Sequence, residues 1–287
     1  MTELFVYWNV SPVITHIGSI EVRWYGVLFA FAFVISYLML KKLFAKDKVE
    51  QSYLDKLALY VFVAVLIGAR LGHCLFYEFG YYSHHIVEML LPIKITPDGW
   101  KFIGYQGLAS HGGAIGILIA LYIYSRNTKI PFMWVVDRLV IAICFAGASI
   151  RLGNLFNSEI YGVATQLPWG FVFLRDGQTQ ACHPTQLYEA LSYIIIGCIL
   201  FFIINKKTKS VNQGMIFGLF LFGVFTMRFL IEFVKNSQES WENGMLINMG
   251  QILSLPFIIA GIVLIIIASK RNIGRLLDLS IIKKTDK

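Results

Sequence analysis

Twelve consecutive residues, Arg151-Leu-Gly-Asn154-Leu-Phe-Asn157-Ser-Glu159-Ile-Tyr161-Gly162, carry an arginine, two asparagines, a glutamate and two glycines. They follow directly on an apolar run from Trp134 to Ile150. An arginine offers a planar fork of N–H donors that fits a phosphate or a carboxylate. If the helix of the apolar run continues for one more turn, Arg151 and Asn154 share a face. A guanidinium and an amide would then stand together at the level of a lipid phosphate. A lone arginine here is better read as an anchor that ends a helix. The density of polar groups in the block, and their echoes at other segment ends, weigh against that simpler reading.

The elements that must position these groups are apolar. The chain has 287 residues, 57% hydrophobic and only 15% charged, with a mean hydropathy of +0.65. A soluble domain carries about a quarter charged residues. Seven apolar segments can be drawn, at about Trp24–Leu40, Leu57–Tyr77, Leu108–Tyr124, Trp134–Ile150, Leu187–Ile204, Gly214–Phe233 and Ile252–Ala268. Each is near the roughly 20 residues that cross a bilayer. The expectation is an all-α polytopic membrane protein with about seven transmembrane helices, forming one transmembrane domain over residues 1–287.

The net charge of +8 does not point to nucleic acid, because the basic residues sit in short clusters between apolar runs. Lys41, Lys42, Lys46, Lys48 and Lys56 form one cluster. Arg126 and Lys129, then Lys206, Lys207 and Lys209, form the next two. Lys270, Arg271, Arg275, Lys283, Lys284 and Lys287 form the last. All fall on one side if the segments alternate, which puts the N-terminus outside and the C-terminus in the cytoplasm. Residues 78–107 and 151–186 then become small caps or arms on the outer face. Residues 1–20 lack a basic start and a small-residue cleavage site, so no removable signal peptide is expected. Cys74, Cys144, Cys182 and Cys198 show no metal or disulfide spacing.

With this topology, polar residues gather near the outer ends of the helices. Segment one opens with Arg23-Trp24-Tyr25-Gly26, and segment two carries Arg70. Segment three is entered by Ser110-His111-Gly112-Gly113. Segment four exits at Arg151, and segment five opens with His183-Pro184-Thr185-Gln186-Leu187-Tyr188-Glu189. Segment six ends with Arg228 and Glu232, at i,i+4 on one face. Ionisable groups inside a membrane are costly and are read as functional by default. Plainer readings stand beside this one. Arg70 and Arg228 could be paired structurally with Glu78 or Glu232, Trp24 suits an aromatic belt, and Gly112-x-x-x-Gly116 suits helix packing. The Asp137–Arg138 pair reads as structural. Cys182 beside His183 does not amount to a nucleophile, because nothing else supports it.

Three arginines, a histidine and several carboxylates suit an anionic phospholipid head group. Arginines would clamp the phosphodiester and take up charge on a phosphate leaving group. A histidine, with an ordinary pKa of about 6.5, could accept a proton from an attacking nucleophile. The residues alone lead to an outer-leaflet enzyme acting on a phospholipid, with the nucleophile unspecified.

The block Arg151-Leu-Gly-Asn154-x-x-Asn157-x-Glu159-x-x-Gly162 resembles the signature of the prolipoprotein diacylglyceryl transferases. Arg23-Trp24-Tyr25-Gly26, His111-Gly112-Gly113, His183-Pro184-x-Gln186-Leu187-Tyr188-Glu189 and Arg228-Phe229-x-Ile231-Glu232 match the supporting blocks, in the family's order, over nearly the whole chain. Two positions depart from the pattern: Ile150 stands where the family usually has Gly, and Leu155 where Phe is usual. The resemblance implies transfer of the diacylglyceryl group of phosphatidylglycerol to the lipobox cysteine of a prolipoprotein signal peptide. A thioether forms and glycerol phosphate leaves, in a bacterial cytoplasmic membrane, with the active site facing the outer leaflet.

The resemblance further implies no metal or organic cofactor, and a monomer is expected. Under it, Arg151 and Arg228 bind the phosphate and carry the leaving-group charge. Asn154 and Glu159 fix the head group and Arg151, while Glu232 orients Arg228. His111 is the base for the thiol, and Tyr25 hydrogen-bonds a lipid oxygen. His183 and Glu189 support the site, which Arg70 and Gly162 also line. Two readings compete. A lipid or anion transporter would need polar groups spread through the membrane or broken repeats. An adaptor protein would leave the clustered His, Arg and Glu unexplained.

Overall fold

The computed structural model describes residues 5–18, 20–91, 93–97, 99–102, 107, 109–206, 211–236 and 247–270. Leu108, residues 103–106 of the 78–107 loop, and Lys207, Lys209, Arg271, Arg275, Lys283, Lys284 and Lys287, which enter the expected orientation, lie outside the described residues. Helix makes up 70% of the fold. Among the described residues, six helices are long and apolar enough to cross a membrane: α1 (Trp24–Lys46), α2 (Gln51–Phe76), α6 (Phe132–Phe156), α7 (Thr185–Lys206), α8 (Met215–Ile231, extended by a 3-10 turn to Val234) and α9 (Met249–Lys270). The chain is a helical, multi-pass membrane protein. The third expected span appears as helix α5 (Ser110–Thr128). It does not join the six, because Ser110, His111, Ser125, Arg126, Asn127 and Thr128 dilute its apolar stretch to little more than three turns.

The described residues divide into two compact units. The first draws on Met1–Lys42 and Val136–Leu276. Strand β1 (Val6–Trp8) pairs in parallel with β6 (Phe171–Phe173), Trp8 opposite Phe173. The Trp8 indole donates to the Leu155 carbonyl at 3.1 Å, which ties this strand to the end of α6. Leu155, Phe171, Phe173 and Cys182 form a small core, with Trp8, Tyr161 and Leu187 packed against it. Strands β2 (Val13–Ile17) and β3 (Ile20–Arg23) form an antiparallel hairpin that delivers α1. A Cβ on Gly261 of α9 would lie 2.6 Å from the Phe222 nitrogen of α8, so the two backbones touch. The Asp137 carboxylate accepts from the Gly214 and Phe217 amides at 2.7 and 2.9 Å. Asp137 thus caps α8, answering two of that helix's orphan N–H groups.

The second unit draws on Leu43–Val135. Helices α2 and α5 pack backbone to backbone: a Cβ on Gly112 would lie 2.2 Å from the Gly68 carbonyl oxygen, and one on Gly116 would lie 2.5 Å from that of Ala64. The glycine spacing there is a packing device. Between these helices the chain forms α3 (Phe79–Tyr82), α4 (Ile86–Leu90) and a hairpin of β4 (Ile93–Thr96) and β5 (Gly99–Phe102). Arg70 is buried and donates to the Glu88 and Met89 carbonyls at 2.6 and 3.2 Å, with its guanidinium over the Tyr82 ring. The Glu88 carboxylate, buried in turn, accepts from the Tyr81 hydroxyl at 2.7 Å and the Ile95 amide at 2.9 Å. These contacts fasten the 78–102 segment to α2.

Candidate active site

Helix α6 runs on to Phe156, past both Arg151 and Asn154. At i,i+3 the two side chains face the same way, and an Arg151 Nη donates to Asn154 Oδ1 at 3.4 Å. The Asn154 amide donates to Glu159 Oε1 at 2.7 Å, and Asn157 donates to the same oxygen at 3.2 Å. One residue after the helix ends, the chain enters a tight loop in which Ser158 and Ile160 both have left-handed backbone, φ +57° and +61°. For the β-branched Ile160 that conformation is strained. It is held from α7, where the Thr185 hydroxyl donates to the Ile160 carbonyl at 2.8 Å and the Gln186 amide to the Glu159 carbonyl at 2.7 Å. The signature loop is therefore moulded onto the first turn of α7.

That turn also supplies the carboxylate that organises Arg151. Glu189 is 1% exposed, and its Oε2 lies 2.5 Å from Arg151 Nε. Its other oxygen lies 3.4 Å from the Lys235 ammonium, which is itself 3.7 Å from Glu232 Oε2. Buried ions require partners of this kind, since an uncompensated one costs several kcal/mol. The Tyr193 hydroxyl, one turn along α7, hydrogen-bonds Arg151 and lies in the field of Glu189 and Arg228. Arg228 of α8 is thus a second positive charge near the phenol that Arg151 of α6 engages directly.

Gly162 closes the loop, and its expected role in lining the site gains a packing reason. A Cβ there would lie 2.1 Å from the Val234 carbonyl oxygen. Without one, Gly162 bridges to Lys235, its amide donates to the His183 carbonyl at 2.8 Å, and Val163 donates to Val234 at 2.9 Å. His183 is half-buried, with Nδ1 3.1 Å from the Tyr188 hydroxyl, which accepts from the Trp169 indole at 3.0 Å. Burial lowers the His183 pKa below its usual value, so the ring is neutral near pH 7. Tyr161 donates to Asp176 and accepts from Gln178, and burial, with the Asp176 carboxylate, pushes its phenol up to about 12. Tyr25, in the first turn of α1, packs on Gly153 and lies in the fields of Glu159 and Arg151.

Arg151, Asn154, Glu159, Gly162, Tyr25, His183, Glu189, Arg228 and Glu232 thus all belong to the first unit, while His111 and Arg70 belong to the second. His111 is exposed in the first turn of α5. Arg70 is engaged with the α4 carbonyls. The ion-pair partner of Glu232 is Lys235 rather than Arg228. The sequence alone assigns no role to Lys235 or Tyr193, and Gln186 enters only as part of the His183–Glu189 block. Lys235 follows an apolar helix, where a lysine reads as a snorkelling anchor. Its i,i+3 spacing from Glu232, and the i,i+4 spacing of Tyr193 from Glu189, were the available signals.

This geometry belongs to a chain with close relatives. Residues 12–267 match the family model described as prolipoprotein diacylglyceryl transferase. A phosphatidylglycerol–prolipoprotein diacylglyceryl transferase of Bacteroides fragilis is 44% identical over 270 residues, covering 94% of this chain and 97% of the relative. The Tolumonas auensis protein of the same name is 43% identical, over 93% of this chain and 99% of its own. That of Porphyromonas gingivalis is 42% identical, over 96% and 98%. With a family match over most of its length and relatives covered almost end to end, the chain belongs to the prolipoprotein diacylglyceryl transferase family.

Proposed function

We propose that this protein moves the diacylglyceryl group of phosphatidylglycerol onto the thiol of the lipobox cysteine of a prolipoprotein. The observation that carries this reading is the Arg151–Glu189 pair beside Asn154, at the end of a membrane helix, in a chain whose relatives bear that activity in their names. The thiolate attacks the glyceryl carbon that bears the phosphate. A C–S bond forms, the C–O bond breaks, and glycerol phosphate leaves with the electron pair. The thiol proton passes to a base. The displacement balances without an oxidant, a reductant or a group carrier.

Arg151 and Arg228 hold the phosphodiester and take up the charge that grows on the leaving group. Asn154, with Glu159, contacts the head group, and Tyr25 contacts a lipid oxygen. His111 is the proposed base, since an unassisted thiol with a pKa of about 8.5 is mostly protonated at neutral pH. If His111→Gln transfers at the wild-type rate, His111 is not the base. The α5 helix is the seventh span, the N-terminus is outside and the C-terminus cytoplasmic. The enzyme works as a monomer in a bacterial inner membrane and faces the outer leaflet.

The test uses purified protein, phosphatidylglycerol labelled in its head group, and a lipobox peptide carrying Cys or Ser. Release of labelled glycerol phosphate is expected with the Cys peptide only. Release with either peptide would replace the transferase by a phospholipase. Release with neither, from folded protein, would refute the reading.

A further inference from the structure

Lys235 follows an apolar helix, where a lysine normally extends its ammonium into water. Here the side chain turns inward, is 3% exposed, and lies 3.4 Å from Glu189 Oε1 and 3.7 Å from Glu232 Oε2. The backbone around it is built to hold it there. The 3-10 turn Glu232–Val234 aims it, and its bridge to Gly162 fixes it, with Asn236 Nδ2 donating to the Gly162 carbonyl at 3.0 Å.

We propose that Lys235 is a positioning residue that keeps Glu189 to a single contact with Arg151, at Nε, so that the carboxylate does not take the Nη donors, shared with Asn154, that the phosphate needs. This rests on the proposed transferase reading. A carboxylate beside an arginine prefers to accept two parallel N–H bonds. Such a pairing would occupy the donors a phosphodiester needs. Glu189 instead gives one oxygen to Arg151 Nε and commits the other to Lys235. An Arg151 Nη then faces Asn154. Charge points the same way. Arg151, Arg228 and Lys235 balance Glu159, Glu189 and Glu232. Without Lys235 an excess negative charge remains where an anion must dock.

The test is a double-mutant cycle read as KM for phosphatidylglycerol, kcat, and binding of phosphatidylglycerol to the detergent-solubilised protein. Lys235→Met is expected to raise the lipid KM about tenfold, with a smaller change in the peptide KM, and Lys235→Arg to recover most of the loss. In a Glu189→Gln background, whose neutral amide cannot quench Arg151, Lys235→Met should add less than about twofold. Equal losses in the two backgrounds, or a fall in kcat with the lipid KM unchanged, would overturn the proposal. If Lys235→Met alone does not fold, the pair Lys235→Met with Glu232→Gln, which restores the charge balance, is compared with Glu232→Gln. A wild-type protein that turns nothing over would count against the transferase reading, while the lipid-binding cycle would still decide the role of Lys235.

Discussion

Arg151 does its work because of what surrounds it. Glu189 is almost wholly buried and would be a liability without a cation, and Arg151 would drift without a carboxylate at Nε. Glu189→Gln is expected to cost about 3–5 kcal/mol of stability, because it removes one partner of a buried pair. A chemical melt in detergent measures that. Arg151→Lys keeps the charge but loses the fork. Transfer should fall at least about a hundredfold, as for removal of one preorganised donor at a developing oxyanion. A wild-type rate would refute the clamp.

His183 gives a pH prediction. Its folded pKa is lowered by burial, so the folded state favours the neutral ring and the unfolded chain binds the extra proton. Stability from this source is complete above about pH 6.5 and is lost as pH falls through the folded value. Protection of the loop ahead of α7, measured by hydrogen exchange relative to the intrinsic rate at each pH, should therefore fall on acidification. Equal protection at pH 5 and pH 7.5 would contradict this.

Among the elements, two glycine contacts matter most. Gly162 lets the signature loop lie against Val234–Asn236, and Gly112 lets α5 touch α2. A methyl group at either place meets backbone rather than a side chain that could step aside. Gly162→Ala and Gly112→Ala should each cost about 1–3 kcal/mol by overpacking. They should differ in kind. Gly162→Ala displaces the segment that carries Lys235 and should reduce transfer along with the melting temperature. Gly112→Ala should lower the melting temperature chiefly by splaying α2 from α5. A Gly162→Ala protein with unaltered activity and stability would mean the close approach to Val234 is not required.

Much of this level was legible beforehand. Apolar runs of membrane-spanning length marked the helices, and the polar block after Ile150 marked the helix end at which Arg151, Asn154 and Glu159 come together. The i,i+3 relation of Arg151 to Asn154 was readable because helix geometry is local. The relation of Arg151 to Glu189 was not, because 37 residues and a strained loop intervene. What joins them is the bonding of Thr185 and Gln186 to the carbonyls of Ile160 and Glu159. The partners of Arg70 were hidden for a related reason. An arginine in an apolar helix is read as functional, yet backbone carbonyls of α4 can satisfy it. The short strands β1 and β6 were equally invisible, since each is three residues long and their pairing spans most of the chain.

At the scale of the whole molecule, chain order is used to bring distant segments onto one arginine. Residues from α1, α6, α7 and α8, and from the tail that follows α8, converge on Arg151 and its loop. Each helix contributes only a few polar groups, gathered toward one end, so each remains apolar enough to cross a membrane. This division explains how a chain with only 15% charged residues can assemble a site dense in charge. It also explains why the site was foreshadowed by polar blocks at several segment ends as well as by the Arg151–Gly162 motif.

The most direct measurement is the mass and lability of the peptide product. Wild-type protein is incubated with phosphatidylglycerol and a lipobox peptide, and the peptide is examined by mass spectrometry before and after alkaline hydroxylamine treatment. The expected product carries one diacylglyceryl group on the cysteine sulfur. That carbon–sulfur link survives hydroxylamine as a thioether does, and the product is absent when Arg151→Ala replaces the wild type. An unmodified peptide, or an acyl group released by hydroxylamine as from a thioester, would contradict the assignment of this site to diacylglyceryl transfer.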